Sequence, residues 1–219
     1  MINLRDTNAL FVIVVIVVIF AVSCSKTPET PAAQSAAASP PSKPAAPGTV
    51  SGRAPAPQSG AAVIVVLDPV APVEFPPQLE TPVMDQVGQT FGPPVLLVRT
   101  GQPVEFHNSD DTLHNVHVND EETREGAFNV AIPTGSSYTF KFPRDGFYHV
   151  GCDIHPAMAA EIVSTSTPYA ALADADGRFA FENVAPGAYR LTVFANGKKS
   201  QRDVEVKGDA VTVDVSSGA

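Results

Sequence analysis

Two cysteines among 219 residues are too few for a disulfide framework, which removes the small disulfide-stapled folds. Basic residues are also scarce. Fourteen Lys and Arg stand against 23 Asp and Glu, a net charge of −9, whereas a nucleic-acid binder needs a basic face for phosphates. No segment repeats apolar residues convincingly at helical spacing, which argues against a helical bundle. What is plentiful is proline, 21 residues, a mark of linkers or of β structure rich in turns. The charge imbalance is local: residues 84–165 hold eleven acids and four bases, a net of −7. The length allows one large domain or two small ones.

Ala9 to Val22 is an unbroken apolar run behind a short polar start containing Arg5. A spanning helix needs about 20 apolar residues, and a shorter run suits the core of a signal peptide. Directly after it, Ala21-Val22-Ser23-Cys24 resembles the lipobox of bacterial lipoproteins, with Ala21 where Leu is usual. The resemblance implies a signal peptide over residues 1–23, lipidation of Cys24, and membrane anchoring in the bacterial periplasm or cell envelope. A signal with an incidental Cys is the alternative. Residues 24–47 read as a linker, part of a Pro- and Ala-rich stretch that cannot bury enough apolar area to offset its ordering entropy.

From Gly48 onward the signals are those of strands. Ala62 to Leu67 is a buried-strand run, and Val95 to Val98 and Val104 to Phe106 flank the turn at Thr100-Gly101-Gln102. His114 to Val118, Tyr138 to Phe142, Phe147 to Val150 and Ala160 to Val163 continue the series. Phe179 to Phe181, Tyr189 to Phe194, Asp203 to Val206 and Ala210 to Val215 form a second unit, joined by Asp176-Gly177, Pro186-Gly187 and Asn196-Gly197. The reading is all-β, with a Greek-key β-sandwich and a second small β-sandwich. Asp174 to Phe179 and Val184 to Tyr189 resemble the carboxypeptidase regulatory-like, or transthyretin-like, sandwiches. In that family the first strands look like Gly48 to Arg53 and Ala62 to Leu67. The resemblance therefore implies a split outer sandwich, residues 48–81 and 165–219, with a central domain at 82–164 inserted into it. A simple tandem is the alternative. Asp174 and Asp176 lack the further ligands of a calcium loop and read as a turn.

Gly151-Cys152-Asp153-Ile154-His155-Pro156-Ala157-Met158 places a thiolate, an imidazole and a thioether within seven residues. Upstream, Leu113-His114-Asn115-Val116 supplies another imidazole where a strand begins. Two His, one Cys and a weak axial Met make the ligand set of a blue-copper centre: a soft thiolate suits Cu(I), and imidazole accepts both oxidation states. Zinc would favour another Cys or His over a thioether. Here residues 82–164 resemble the cupredoxins, the plastocyanin and amicyanin family. Phe91-Gly92-Pro93-Pro94 and Gly101 to Phe106 add to the likeness, and the Cys-x-x-His-x-x-Met spacing is that of amicyanin. The resemblance implies one type 1 copper held by His114, Cys152, His155 and Met158, with Asn115 tying the two ligand loops together. Asp153 departs from the small or hydroxyl residue usual beside the thiolate, and Ala157 from a bulky aromatic. His107, His117 and His149 are read as ordinary surface or hydrogen-bonding residues, with His107 on an exposed turn. Asp120 to Glu125 is read as a solvated loop.

The expected function is single-electron transfer between extracytoplasmic redox partners, such as a c-type cytochrome or a dehydrogenase. Copper storage, sensing or delivery is the alternative, and an outer sandwich that binds partners is a third class. Five histidines, two of them already used, leave too few for the extra copper sites of a multicopper enzyme, so no substrate turnover is expected.

Overall fold

The computed structural model describes residues 46–58 and 61–217. The signal peptide, Cys24 and nearly all of the linker lie outside these residues. The described residues form sixteen strands and no helix. The all-β reading holds, and the strands build four sheets arranged as two sandwiches.

In the first sandwich, β1 (Gly48–Arg53) lies between β13 (Arg178–Val184) and β16 (Val211–Asp214). Its second sheet runs in the order β12 (Ala170–Leu172), β2 (Ile64–Pro69), β14 (Gly187–Ala195) and β15 (Lys198–Val206). Strands from both ends of the chain thus share each sheet. β1 runs parallel to β16 and antiparallel to β13, and β2 pairs with both β12 and β14. The intervening chain forms the second sandwich. One sheet orders β5 (Val95–Arg99), β11 (Ala159–Thr165), β10 (Gly146–Gly151), β7 (His114–Asp120) and β8 (Gly126–Ile132). The other orders β4 (Thr90–Gly92), β3 (Val83–Val87), β6 (Pro103–Asn108) and β9 (Ser137–Lys141).

The run at β2 is apolar without alternation because both of its faces are covered. Val63, Val65 and Leu67 enter the core of the first sandwich with Phe181, Leu191 and Val193. Ile64 and Val66 point the other way and pack with Val163 of the central sheet, in a patch that includes Phe147, Leu97 and Phe194. The Phe147 and Phe194 rings meet edge to face at 4.4 Å between centroids. One strand therefore serves two cores.

The central core is aromatic, with Phe106, Phe142 and Tyr148 buried between the sheets. Phe142 and Tyr148 stand 4.6 Å apart, and the Tyr148 hydroxyl donates to the Arg144 carbonyl at 3.1 Å. The Asp120 to Glu125 segment differs from the sequence expectation at its first residue. Asp120 is only 5% exposed: its carboxylate accepts from the backbone N–H groups of Glu122 and Thr123, at 2.9 Å each, and from Arg144. A carboxylate that closes its own turn is shielded, whatever the polarity of its neighbours. His107 also differs. It sits within β6, not on a turn, and its Nε2 lies 2.9 Å from Glu105 Oε2. Asp174 accepts from the N–H groups of Asp176 and Arg178, and Gly177 at φ 79° closes the turn against Ala54. A Cβ at position 177 would meet the Ala54 carbonyl at 2.2 Å, so only glycine fits.

Candidate metal centre

His114 opens β7, and Cys152 directly follows β10, its antiparallel neighbour. That pairing carries both residues to the same end of the central sandwich. The link from β10 to β11 is the short stretch 152–158, and the Met158 N–H donates to the His155 carbonyl at 2.9 Å. The resulting turn brings His155 back over the strand ends.

The three ligand atoms lie together. Cys152 Sγ is 3.9 Å from His114 Nδ1 and 3.9 Å from His155 Nδ1, and the two Nδ1 atoms are 2.9 Å apart. Among the described residues this is the group of His, Cys and acidic side chains whose ligand atoms converge as a metal site requires. Metal–nitrogen and metal–sulfur bonds are about 2.0 and 2.3 Å, so a triangle of this size suits one ion at its centre. His114 is wholly buried, Cys152 is 4% exposed and Met158 is 2% exposed in the same core cluster. His155 is partly exposed.

The first imidazole is held from behind. His114 Nε2 lies 2.8 Å from Asp110 Oδ2, and a carboxylate can only accept, so Nε2 carries the proton and Nδ1 presents its lone pair. Asp110 is held in turn by the two-residue turn at Gly88 and Gln89. Both residues adopt positive φ, as the tight hairpin between β3 and β4 requires, and their N–H groups donate to the carboxylate at 2.6 and 2.8 Å. The Gln89 N–H, the His114 imidazole and the Gly88 N–H together keep the Asp110 carboxyl below the usual carboxylate range.

Asn115 stitches the two ligand loops. Its Oδ1 accepts from the Asp153 N–H at 2.7 Å and lies 3.3 Å from Cys152 Sγ. Its Nδ2 reaches Asn129 Oδ1 at 2.8 Å and Asp153 Oδ2 at 3.0 Å. The Asp153 carboxyl also lies below its usual range, held there by His117, then Asn129 and Asn115. His117 faces away from the ligands, as strand alternation demands, yet its Nδ1 lies 2.9 Å from Asp153 Oδ1.

A match to the copper binding proteins of the plastocyanin/azurin family covers residues 80–164. This stretch is a cupredoxin-like copper-binding fold. The donor set fits one type 1 copper: two imidazole nitrogens, one buried thiol sulfur and a buried thioether. Residues 155–217 match the carboxypeptidase regulatory-like domain. Strands β1 and β2 lie outside that match but pair into its sheets.

Solved structures similar to the cupredoxin-like part include a proline-to-glycine mutant of amicyanin in its reduced Cu(I) form at pH 4. It is 24% identical, with 39% of this chain and 82% of that chain covered, at a TM-score of 0.36. A Cu-containing nitrite reductase from Thermus scotoductus is 29% identical over 46% of this chain but only 26% of its own length, at a TM-score of 0.37. A purple cupredoxin from Nitrosopumilus maritimus is 21% identical over 38% of this chain and 99% of its own, at a TM-score of 0.35. No curated protein matches the chain.

Two contributors were not assigned from sequence. Asp110 stands four residues before His114, and an acid just ahead of a ligand imidazole is the signal that could have marked it. Asn129 had no such signal, because it lies on the exposed face of β8, opposite the alternating Phe128, Val130 and Ile132 that face the core.

Proposed function

We propose that this chain is a membrane-tethered, extracytoplasmic carrier of single electrons that turns over no substrate. The observation that carries the reading is the placing of a partly exposed imidazole edge within an apolar rim. Leu113 and Ile154 are each 47% exposed beside the ligands they precede or follow, and Pro156 and Ala157 are exposed next to His155. Apolar contact lets a redox partner come close without stripping water from charge. Bound copper would supply the one-electron chemistry. The protein's part is to fix the ligands through Asp110 and Asn115 so that little rearranges when the electron moves. The acidic central segment would steer a cationic partner, such as a c-type cytochrome or the basic face of a dehydrogenase. Cys24 would hold the chain to the membrane through its lipid, with the Pro-rich stretch as spacer.

The test is to load the full chain with Cu(II), record its absorption, and follow its reduction and reoxidation by a cationic c-type cytochrome. An intense blue thiolate band, with electron transfer that slows as salt rises, is expected. Ala157→Lys should slow transfer and leave the band in place. A colourless, redox-silent Cu(I) complex would overturn the carrier reading in favour of storage or delivery.

A further inference from the structure

Three donors converge on the carboxylate of Asp153, the residue next to the thiol. His117 Nδ1 lies 2.9 Å from Oδ1, and Asn129 Nδ2 and Asn115 Nδ2 reach Oδ2 at 2.8 and 3.0 Å. His117 and Asn129 are direct cross-strand partners on β7 and β8, and Asn115 lies on the same face two residues before His117. A carboxylate offers no proton, so each of the three must donate to it. This settles the orientation of the Asn115 amide. Its NH2 group faces the Asp153 carboxylate and Asn129 Oδ1, and its Oδ1 faces the Asp153 N–H and the Cys152 sulfur. Turning the amide over would set oxygen against carboxylate and NH2 against N–H. A serine or threonine at this position would keep the backbone N–H to Asn115 Oδ1 but lose the carboxylate that holds the Asn115 NH2 group.

We propose that Asp153 is a positioning residue that lowers the reduction potential of the copper centre, through its own charge and through the amide oxygen it aims at the thiolate. The inference rests on the copper reading above. One electron enters on reduction, and the positive charge of the centre falls by one. A carboxylate and the negative end of an amide dipole beside it favour the more positive, oxidised state. The carboxylate side chain is 56% exposed, so water weakens its direct effect, but the amide oxygen lies in the buried part of the site. Both effects act in the same direction.

The experiment is a spectroelectrochemical titration of the copper-loaded full chain, comparing the natural protein with Asp153→Asn and Asp153→Ser. Asparagine keeps the shape and removes the charge. Serine removes the charge and the carboxylate's hold on the Asn115 NH2 group, leaving the amide fixed by the backbone N–H alone. Both variants should keep the thiolate band. At the potential where the natural protein is half reduced, each should show a Cu(I) to Cu(II) ratio at least several-fold higher, with Ser no smaller than Asn. In the Cu(I) protein, the Asn115 side-chain amide protons should exchange with solvent at least tenfold faster in the Ser variant. A preserved band with unchanged ratios in both variants overturns the proposal alone, as does a ratio that moves the other way. A natural protein without the band overturns the copper reading itself. If the Asn variant does not fold, the Ser variant decides by the same two readouts.

Discussion

His114 and Cys152 show how one side chain acts through another. Asp110 turns the Nδ1 lone pair of His114 toward the site by accepting a hydrogen bond from Nε2–H, so Asp110→Ala should weaken metal binding about 10- to 100-fold in a competition titration. The fold should survive, because Asn108 independently braces this loop with bonds of 2.8 Å to the Thr112 and Ile132 carbonyls. Cys152→Ser should abolish the blue band, since the colour needs a sulfur donor. Cys24→Ser should leave the band intact and move the protein from the membrane to the soluble fraction. Retention in the membrane fraction would show that the apolar run at Ala9 to Val22, not a lipid on Cys24, anchors the chain.

Within single elements, the turn after β7 is the place where charge sets stability. Burial opposes ionisation of Asp120, but the Thr123 and Glu122 N–H groups and Arg144 more than offset it, so the carboxyl lies below its usual range. A carboxylate with a depressed folded-state value contributes stability above its unfolded value, near 3.9, and that contribution fades as pH falls through the folded one. Asp120→Ala should therefore cost about 1.5–3 kcal/mol in urea unfolding at neutral pH, since charge-assisted hydrogen bonds are lost. The difference between the two proteins should shrink below about pH 4. A constant difference across that range would mean that packing, not charge, makes the contribution.

Across the whole molecule, the two sandwiches share an apolar seam at Ile64, Val66, Val163, Phe147 and Phe194. Val66→Asp would bury an unpaired charge there without touching the core of either sandwich. Unfolding followed by copper colour and by tyrosine fluorescence should then split or shift to lower temperature, while the absorption of the folded protein stays the same. An altered absorption spectrum would mean that the seam reaches the ligands. β1 and β2 come from the start of the described chain and pair only with strands that lie beyond residue 169. The first sandwich is therefore completed only after the central one has been synthesised.

Much of this was legible in the chain alone, because the signals are local. Apolar alternation marks β6 and β7, glycine marks the turns, and Cys152, His155 and Met158 bring three donor types together within one short loop. The thioether in that loop already separates copper from zinc. Tertiary structure decided the rest, because the decisive contacts join residues far apart in sequence. Cys152 meets His114 across 38 positions, Asp153 gathers His117, Asn129 and Asn115 from two other strands, and Asp110 takes its N–H groups from a turn more than 20 residues away. β8 escaped notice although Phe128, Val130 and Ile132 alternate toward the core, because Ala127 and Ala131 on its other face blur the apolar–polar contrast. The sequence by itself determined which atoms could bind copper. Only the folded sheets decided which polar groups stand behind those atoms, because hydrogen-bond partners are chosen by distance in space.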